Sequence, residues 1–418
     1  MTQLPGMVKK GVSPYNRTPR TLVLILGIAG FISAADNWFI SPALPAIAAD
    51  LGVSILSTGL ILTAYLLPYG CMQPVFGLIS DRIGKVRVLF WILAGFTIGS
   101  GACAMAGTLQ ALIVWRAFTG FFAAGIIAIS LACLGDAIPP EERQHYVGIF
   151  MGIVFLGQGL SVGIGGLLTE FFSWRVPFML FSAIAVCTLM FIHQIPQAKQ
   201  SVSNLTVREE LHEISHNPSS WILFPLAGAS GFLLIGMYSY LGSFLHQIVG
   251  LGYTQIGAIV MFFGFSALIG GIQAGNINRR IGSRWMIAGG GFLASGTLLL
   301  FALFSGWQTG LVVSAGLGLG YVCIQSTIAT LVFEISPRSK GLPSALVGLG
   351  LFGGAGIGTV CMGTLIEIFG YCESAIIYAA GVSGMILFTL AVPNLNPSRE
   401  KAPGDGGHTK KLQEKPPQ

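Results

Sequence analysis

The chain is built from long apolar runs, each near the length that crosses a bilayer, with almost all charge gathered in the short segments between them. A helix rising 1.5 Å per residue needs about 20 mostly apolar residues to cross the hydrocarbon core. Twelve stretches reach that length. Six lie at roughly 21–45, 54–79, 88–106, 109–135, 146–168 and 176–195, and six more at roughly 221–246, 253–275, 285–304, 309–335, 343–366 and 373–393. Only 9% of residues are charged, against about 25% in soluble domains. That is too little to cover a water-facing surface, so lipid is the expected solvent. The 58 glycines fit the same reading, because small residues let membrane helices approach closely.

The distribution of basic residues is an independent test. Cytoplasmic loops hold the Lys and Arg of a membrane protein. With the N-terminus inside, the inner segments collect Lys9, Lys10, Arg17, Arg20, Arg82, Lys85, Arg87, Arg143, Lys199, Arg208, Arg279, Arg280, Arg284, Arg338, Lys340 and the five basic residues of the tail, which is 20 of 22. The two exceptions are Arg116, within a span, and Arg175, at an outer helix end. The net charge of +6 is therefore topological, and no nucleic-acid partner is expected. The seven cysteines form no CxxC pair and read as small apolar residues, with no disulfide framework and no metal site. No phosphate-binding loop of the G-x-x-x-x-G-K type is present, so an ion gradient suits the chain better than ATP as an energy source.

One internal offset recurs. Gly77-Leu-Ile-Ser-Asp-Arg-Ile-Gly84 returns 198 residues later as Gly275-Asn-Ile-Asn-Arg-Arg-Ile-Gly282, and Asp136-Ala-Ile-Pro139 returns as Glu334-Ile-Ser-Pro337. The same offset links Gly30 to Gly228, Gly52 to Gly250, Gly59 to Gly257 and Gly165 to Gly363. A parallel six-plus-six repeat is the architecture of major facilitator transporters, in which the substrate site lies near the midplane between the halves. The expected division is a cytoplasmic N-terminal segment (1–20), a first six-helix bundle (21–195), a cytoplasmic linker (196–220), a second bundle (221–393) and a disordered tail (394–418). The linker stretch Thr206–His216 is charged and is expected as a solvated surface helix.

The loop Gly77-Leu-Ile-Ser-Asp81-Arg82-Ile-Gly84-Lys85-Val-Arg87 resembles the signature loop of the major facilitator superfamily. Gly77 permits close packing, Gly84 a sharp turn, and Asp81 can cap a helix N-terminus. The resemblance implies that this helix is the eleventh, starting near Pro343, and that Lys85 pairs with Asp136 as part of a cytoplasmic latch. Many members carry Arg at Lys85, so a bidentate pair is not available here. The charges also serve topology alone on the other reading of this loop. In the second copy Arg279 replaces the acid, which implies a weaker or differently built latch.

Arg116-Ala-Phe-Thr-Gly120-Phe-Phe-Ala-Ala-Gly125 resembles the family's arginine motif, linked to proton coupling. An intramembrane Arg needs a partner or a wet cavity. Asp36 is the candidate: at 1.5 Å per residue it lies about 14 Å below Pro45, and Arg116 about 11 Å below Leu109. Asp36 is either a protonatable cavity carboxylate or a residue of a frayed outer helix end. The mostly apolar run that follows it to Ala49 favours the cavity. The segment Ser33–Pro45 is similar to the first helix of drug–proton antiporters. On the fifth helix Gly148, Gly157, Gly165 and Gly166 fall in register with the antiporter motif, but Ser161-Val162 replaces its Gly-Pro. This face is either an antiporter device or plain packing. Candidate cavity residues are Tyr65, Gln158, Tyr238, Tyr240, Phe262 and Gln325, while Glu170 and His246 read as interfacial.

Together these features predict an all-α membrane protein with twelve transmembrane helices in two pseudo-symmetric six-helix bundles, both termini cytoplasmic. The resemblance implies a monomeric multi-pass transporter of a bacterial inner membrane, not an enzyme, without a cofactor. It would draw on the proton gradient and have a small-molecule substrate and the lipid bilayer as its partners. Proton-coupled efflux is the expected activity. Import by symport or facilitation, and a non-transporting sensor on the same fold, stay open.

Overall fold

The computed structural model describes residues 19–192, 195, 207–304, 306–335 and 341–392. The expected N-terminal segment up to residue 18, the first part of the linker (196–206) and the tail after residue 392 lie outside the described residues. Among those described, twelve helical spans are long and apolar enough to cross a membrane.

The first half contains α1 (Pro19–Trp38), α2 (Ile40–Leu51), α3 (Ile55–Ile83), α4 (Lys85–Ala104), α5 (Leu109–Ala123), α6 (Ile126–Ala137), α7 (Pro140–Phe171) and α8 (Arg175–Ile192). A short helix α9 (Val207–His216) follows. The second half contains α10 (Ser220–Ser230), a π-helical turn (Gly231–Ile235), α11 (Gly236–Ser239), α12 (Leu241–Gln247), α13 (Tyr253–Val260), α14 (Phe262–Ile281), α15 (Ser283–Leu303), α16 (Trp307–Val332), α17 (Gly341–Phe369) and α18 (Tyr371–Ala391).

The first span runs further than its expected end near residue 45. Helix is interrupted at Phe39 and resumes to Leu51, where Gly52 stops it with φ +64°. Pro42 has no N–H to offer the Trp38 carbonyl, so the ladder breaks there without ending the rod. The counterpart span in the second half is broken too, by the π turn and at Tyr240.

The 198-residue repeat is realised in backbone geometry. Gly52 and Gly250 have φ +64° and +77°, and Gly84 and Gly282 have φ +107° and +87°. Side chains other than Gly rarely adopt this region, so the same turns recur because the same residue permits them.

Within the first half α1 packs on α7, and α4 and α5 pack on each other and on α8 and α3. In the second half α15 packs on α16 and α18, and α10 on α17. Three seams join the halves: α3 with α17, α7 with α13 and α14, and α2 with α12. Trp91, Ile272, Leu303 and Leu387 project outward from the bundle, an apolar surface suited to lipid.

The linker helix is mostly exposed, as expected of a surface helix, but one side of it is held. Glu210 and Ile214 are buried. Ser220 Oγ donates to Ile214 O (2.6 Å) and Trp221 Nε1 to Ser215 O (3.0 Å). Asn217 Nδ2 donates to Ile335 O at 3.1 Å, so the chain leaving α9 is tied to the end of α16.

Candidate functional site

Asp36 and Arg116, the two ionic residues read as coupling candidates, meet. Arg116 Nη1 donates to Asp36 Oδ2 at 2.5 Å and to Asp36 O at 3.3 Å, and neither side chain is exposed. The break after Trp38 leaves Asp36 in the last turn of α1, well inside the bundle and not at a frayed end. A third helix completes the shell: Ser100 Oγ on α4 donates to Asp36 Oδ1 at 2.8 Å. The Arg116 guanidinium lies over the Tyr65 ring, 4.1 Å from its centroid, and 5.6 Å from that of Phe178. Its Nε and Nη2 are buried without a hydrogen-bond partner. Arg cannot give up its proton, so the pair is neutral only while Asp36 is ionised. A proton arriving at Asp36 would leave a positive charge in an apolar interior, which is costly. The sequence offered no sign of Ser100, one hydroxyl within a run of small residues.

The aromatic candidates divide between this site and the seams. Tyr65 belongs to the ion-pair shell, where its hydroxyl donates to Ser33 O (3.4 Å). Tyr238 packs on Trp38 and Phe263 with ring centroids 4.7 and 4.4 Å apart. A small cavity between the halves is lined by Asn37, Trp38, Ser41, Tyr238 and Ser239 with apolar neighbours. Ser41 Oγ reaches Tyr238 O and Ser239 O (both 3.3 Å), carbonyls at the broken end of α11. Tyr240 is a wedge: a Cβ on Gly59 of α3 or Gly363 of α17 would collide with its hydroxyl. Phe262 is misassigned. It is partly exposed, and Phe263 takes the seam position. Depth in the span does not say which of two adjacent aromatics, about 100° apart around a helix, faces the other half. Gln158 Oε1 is buried without a partner, and Gln325 Nε2 donates to Ser230 Oγ (2.7 Å) within its own half.

The fifth-span glycines do not form one face. Gly157 and Gly165 receive Phe31 and Phe39 of the first span, Gly166 meets Tyr253 and Gly257 of α13, and Gly148 faces open space. The close approach between halves uses Gly159, against Gly264, and Gly163, against Met261. Gly159, Gly163 and Gly166 fall at helical spacing, a stripe of which the antiporter register holds only Gly166.

At the end of the bundle carrying Gly84 and Gly282, Lys85 Nζ and Asp136 Oδ2 are 2.5 Å apart and partly exposed. Asp81 and Arg82 are exposed beside them. No hydrogen bond joins Asp81 to the described residues of α17, and Gly77 and Gly341 have open space where a Cβ would stand. The expected cap on the eleventh span is thus not made among the described residues. In the second copy Arg279 bonds locally to Asn276 Oδ1 (2.5 Å).

The opposite end is closed. Glu170, read as interfacial, reaches across from α7: Thr254 N donates to its Oε2 at 2.6 Å, capping the first turn of α13 in the other half. Its partner is a backbone N–H, which leaves no mark in sequence. His246 Nδ1 bonds to Leu251 O (3.0 Å) and its ring stacks on Tyr253. Arg175, the basic residue outside the topological pattern, is held by Asp50 Oδ2 (2.6 Å) and Ala106 O (3.2 Å), with Trp174 beneath it at 4.1 Å. That hydrogen bond holds the Asp50 carboxyl below its usual range.

Comparison with known proteins agrees with this fold. The chain is 26% identical over 351 residues (81% of it, 87% of the relative) to the uncharacterized MFS-type transporter YceJ of Bacillus subtilis (strain 168). Over 199 residues (46% of the chain, 39% of the relative) it is 30% identical to the putative multidrug resistance protein MdtD of Shigella sonnei (strain Ss046). The fold matches that of a bacterial homolog to the human lysosomal transporter Spinster, solved inward-facing and unoccupied. That match has TM-score 0.72, 17% identity, and coverage of 91% of this chain and 96% of the other. The nucleoside transporter NupG, solved as a point mutant, gives TM-score 0.72 at 15% identity, covering 88% of this chain and 99% of the other. The family model described as Major Facilitator Superfamily matches residues 26–340 and 247–416, and on that match the chain belongs to the major facilitator superfamily.

Proposed function

We propose that the protein is a proton-coupled exporter of small amphipathic organic molecules that works by alternating access in a bacterial inner membrane. The observation that carries this reading is the fully buried Asp36–Arg116 pair, set one residue from the cavity between the halves. A proton taken up by Asp36 removes the counter-charge of Arg116, and the cheapest escape is a rearrangement of the helices around it. The end with Gly84 and Gly282 is the cytoplasmic one by its Lys and Arg content. The closed far end, and the lack of a hydrogen bond from Asp81 to the described part of α17, support an inward-facing conformation. Lys85, Asp136, Arg82 and Asp81, with Gly77 and Gly84, form the latch that closes when α17 approaches. Relatives named as multidrug resistance proteins support export.

The central lining is aromatic and amide-bearing without net charge, which suits neutral organic compounds and flat cations of delocalised charge. The test is purified protein in proteoliposomes under an imposed pH gradient, with a set of fluorescent organic compounds including ethidium, and with internal pH followed in parallel. Compound should accumulate against its gradient with opposite proton flow, and Asp36→Asn should abolish both. Full gradient-driven transport by Asp36→Asn, or proton flow in the same direction as the compound, would overturn the reading.

A further inference from the structure

Asp36 uses only one arm of Arg116. The remaining face of the guanidinium rests on Tyr65, and its Nε and Nη2 have no hydrogen-bond partner. When Asp36 is neutral, the Tyr65 ring is the nearer of the two aromatic seats for this charge, with Phe178 at 5.6 Å, and desolvation strengthens such a contact.

Tyr65 is also tied on every side. Its hydroxyl reaches Ser33 O on α1, one turn before Asp36. Gly120, four residues after Arg116, presses on the Tyr65 backbone so closely that a Cβ there would collide with Tyr65 O. On its other face Tyr65 stacks on Tyr69 (centroids 5.6 Å, planes 21° apart), and Tyr69 meets Phe352 edge-on at 4.5 Å (65°). Phe352 lies on α17, in the other half. An unbroken aromatic row thus runs from the guanidinium to the α3–α17 seam. That seam is tight through its middle: Thr63 Oγ1 donates to Gly356 O at 2.9 Å, and a Cβ on Gly70 would stand 3.0 Å from Gly353 N.

We infer that Tyr65 is a positioning residue that couples the charge state of the Asp36–Arg116 pair to the α3–α17 seam. The ring holds Arg116 when Asp36 is protonated, and the shift of the cation is passed through Tyr69 to Phe352. One proton moves from solvent to the Asp36 carboxylate, Arg116 stays charged, and no bond between heavy atoms changes. The titratable groups facing Asp36 are Arg116 from α5, Tyr65 from α3 and Cys103 from α4, with Tyr69 behind Tyr65. This inference rests on the reading of Asp36 as the proton site.

The experiment needs no substrate. Spin labels at Phe172 and Ile248, exposed and in opposite halves at the far end, report its opening. A second pair, at Ile83 and Ile281, reports the basic end. Native cysteines are replaced, and distances are measured by double electron–electron resonance in nanodiscs from pH 5 to 8. Wild type and Tyr65→Phe should exchange short- and long-distance populations with pH, in opposite senses at the two ends, and Asp36→Asn should not. Tyr65→Leu should cut the pH-driven change in population ratio by about tenfold, while a label pair within the first half, at Trp91 and Phe172, keeps its wild-type distance. A Tyr65→Leu protein that responds like wild type overturns the inference alone. So does Tyr65→Phe failing as Tyr65→Leu does, since the hydroxyl and not the ring would then matter. A wild type blind to pH, or Asp36→Asn responding normally, overturns the proton reading and this inference with it.

Discussion

Neutralising one member of the Asp36–Arg116 pair should cost far more than neutralising both. At a separation of about 4 Å between charge centres and an effective dielectric of about 20, their attraction is about 4 kcal/mol. Asp36→Asn keeps an oxygen for Ser100 but leaves Arg116 as an uncompensated cation whose Nε and Nη2 are already unpartnered. Breaking a buried pair in this way costs roughly 3–5 kcal/mol. Arg116→Gln leaves the converse, a carboxylate with Ser100 as its remaining donor, at a similar cost. The double variant is neutral, and its two amides can hydrogen-bond to each other, so its loss should be about 1–2 kcal/mol. Unfolding free energies of the four proteins, measured by SDS titration in mixed micelles, close the cycle. The expected coupling is about 4 kcal/mol or more. If the double variant loses the sum of the single losses to within about 0.5 kcal/mol, the two residues are not a pair in the membrane-embedded protein, and the site as described is wrong.

Four further outcomes are expected. Glu170→Ala removes the cap from α13, worth about 1 kcal/mol, and should shift labels at Phe172 and Ile248 toward long distances about fivefold; an unchanged distribution would remove Glu170 as a closing contact. Gly264→Val should hold the far end apart, because a Cβ there would stand 2.5 Å from Gly159 Cα; the same labels would show loss of the short distance, and its persistence would mean that α14 yields instead. The Asp50 carboxyl is held low by Arg175, so its stabilisation is present above the ordinary carboxylate value of 3.8 and is lost as pH falls through the lower folded value. Half-exposed and screened, the pair contributes about 0.2–1 kcal/mol, so Asp50→Asn should melt slightly below wild type at pH 7, and the gap should narrow once the pH is below that folded value. Lys85→Ala should change stability by no more than about 1 kcal/mol while lowering the rate of gradient-driven ethidium export, which separates a latch from a structural brace.

The parts of this molecule that one element or one solvent dictates were readable in the sequence. A bilayer selects apolar length, so the twelve spans and the lone Arg116 stood out. The need of a buried cation for a counter-charge singled out Asp36. The turns at Gly84 and Gly282 were visible because only glycine tolerates their φ. What escaped depends on helical phase or on backbone partners. The π turn and the irregular turn at Met261 have no mark in the sequence, and depth in a span does not say which face a residue takes, so depth alone picks Phe262 although Phe263 lies in the seam. Glu170 escaped because it binds an N–H, and Ser100 because its hydroxyl acquires meaning only beside Asp36. The fifth-span glycines were recognised as a packing device, yet their register does not say which neighbour each one meets.

The far-end closure between α7 and α13–α14 is made largely of bare main chain, glycine laid on glycine at Gly159–Gly264 and Gly166–Gly257. Two such surfaces have no side-chain rotamers to freeze on meeting and few to release on parting. Closure therefore resembles a smooth joint more than a set of interlocking teeth: the faces can separate over small displacements and reseat without a conformational search. Friction in the working cycle then belongs elsewhere, above all to the Tyr240 wedge, which must withdraw from between Gly59 and Gly363 before α3 and α17 can part at that end.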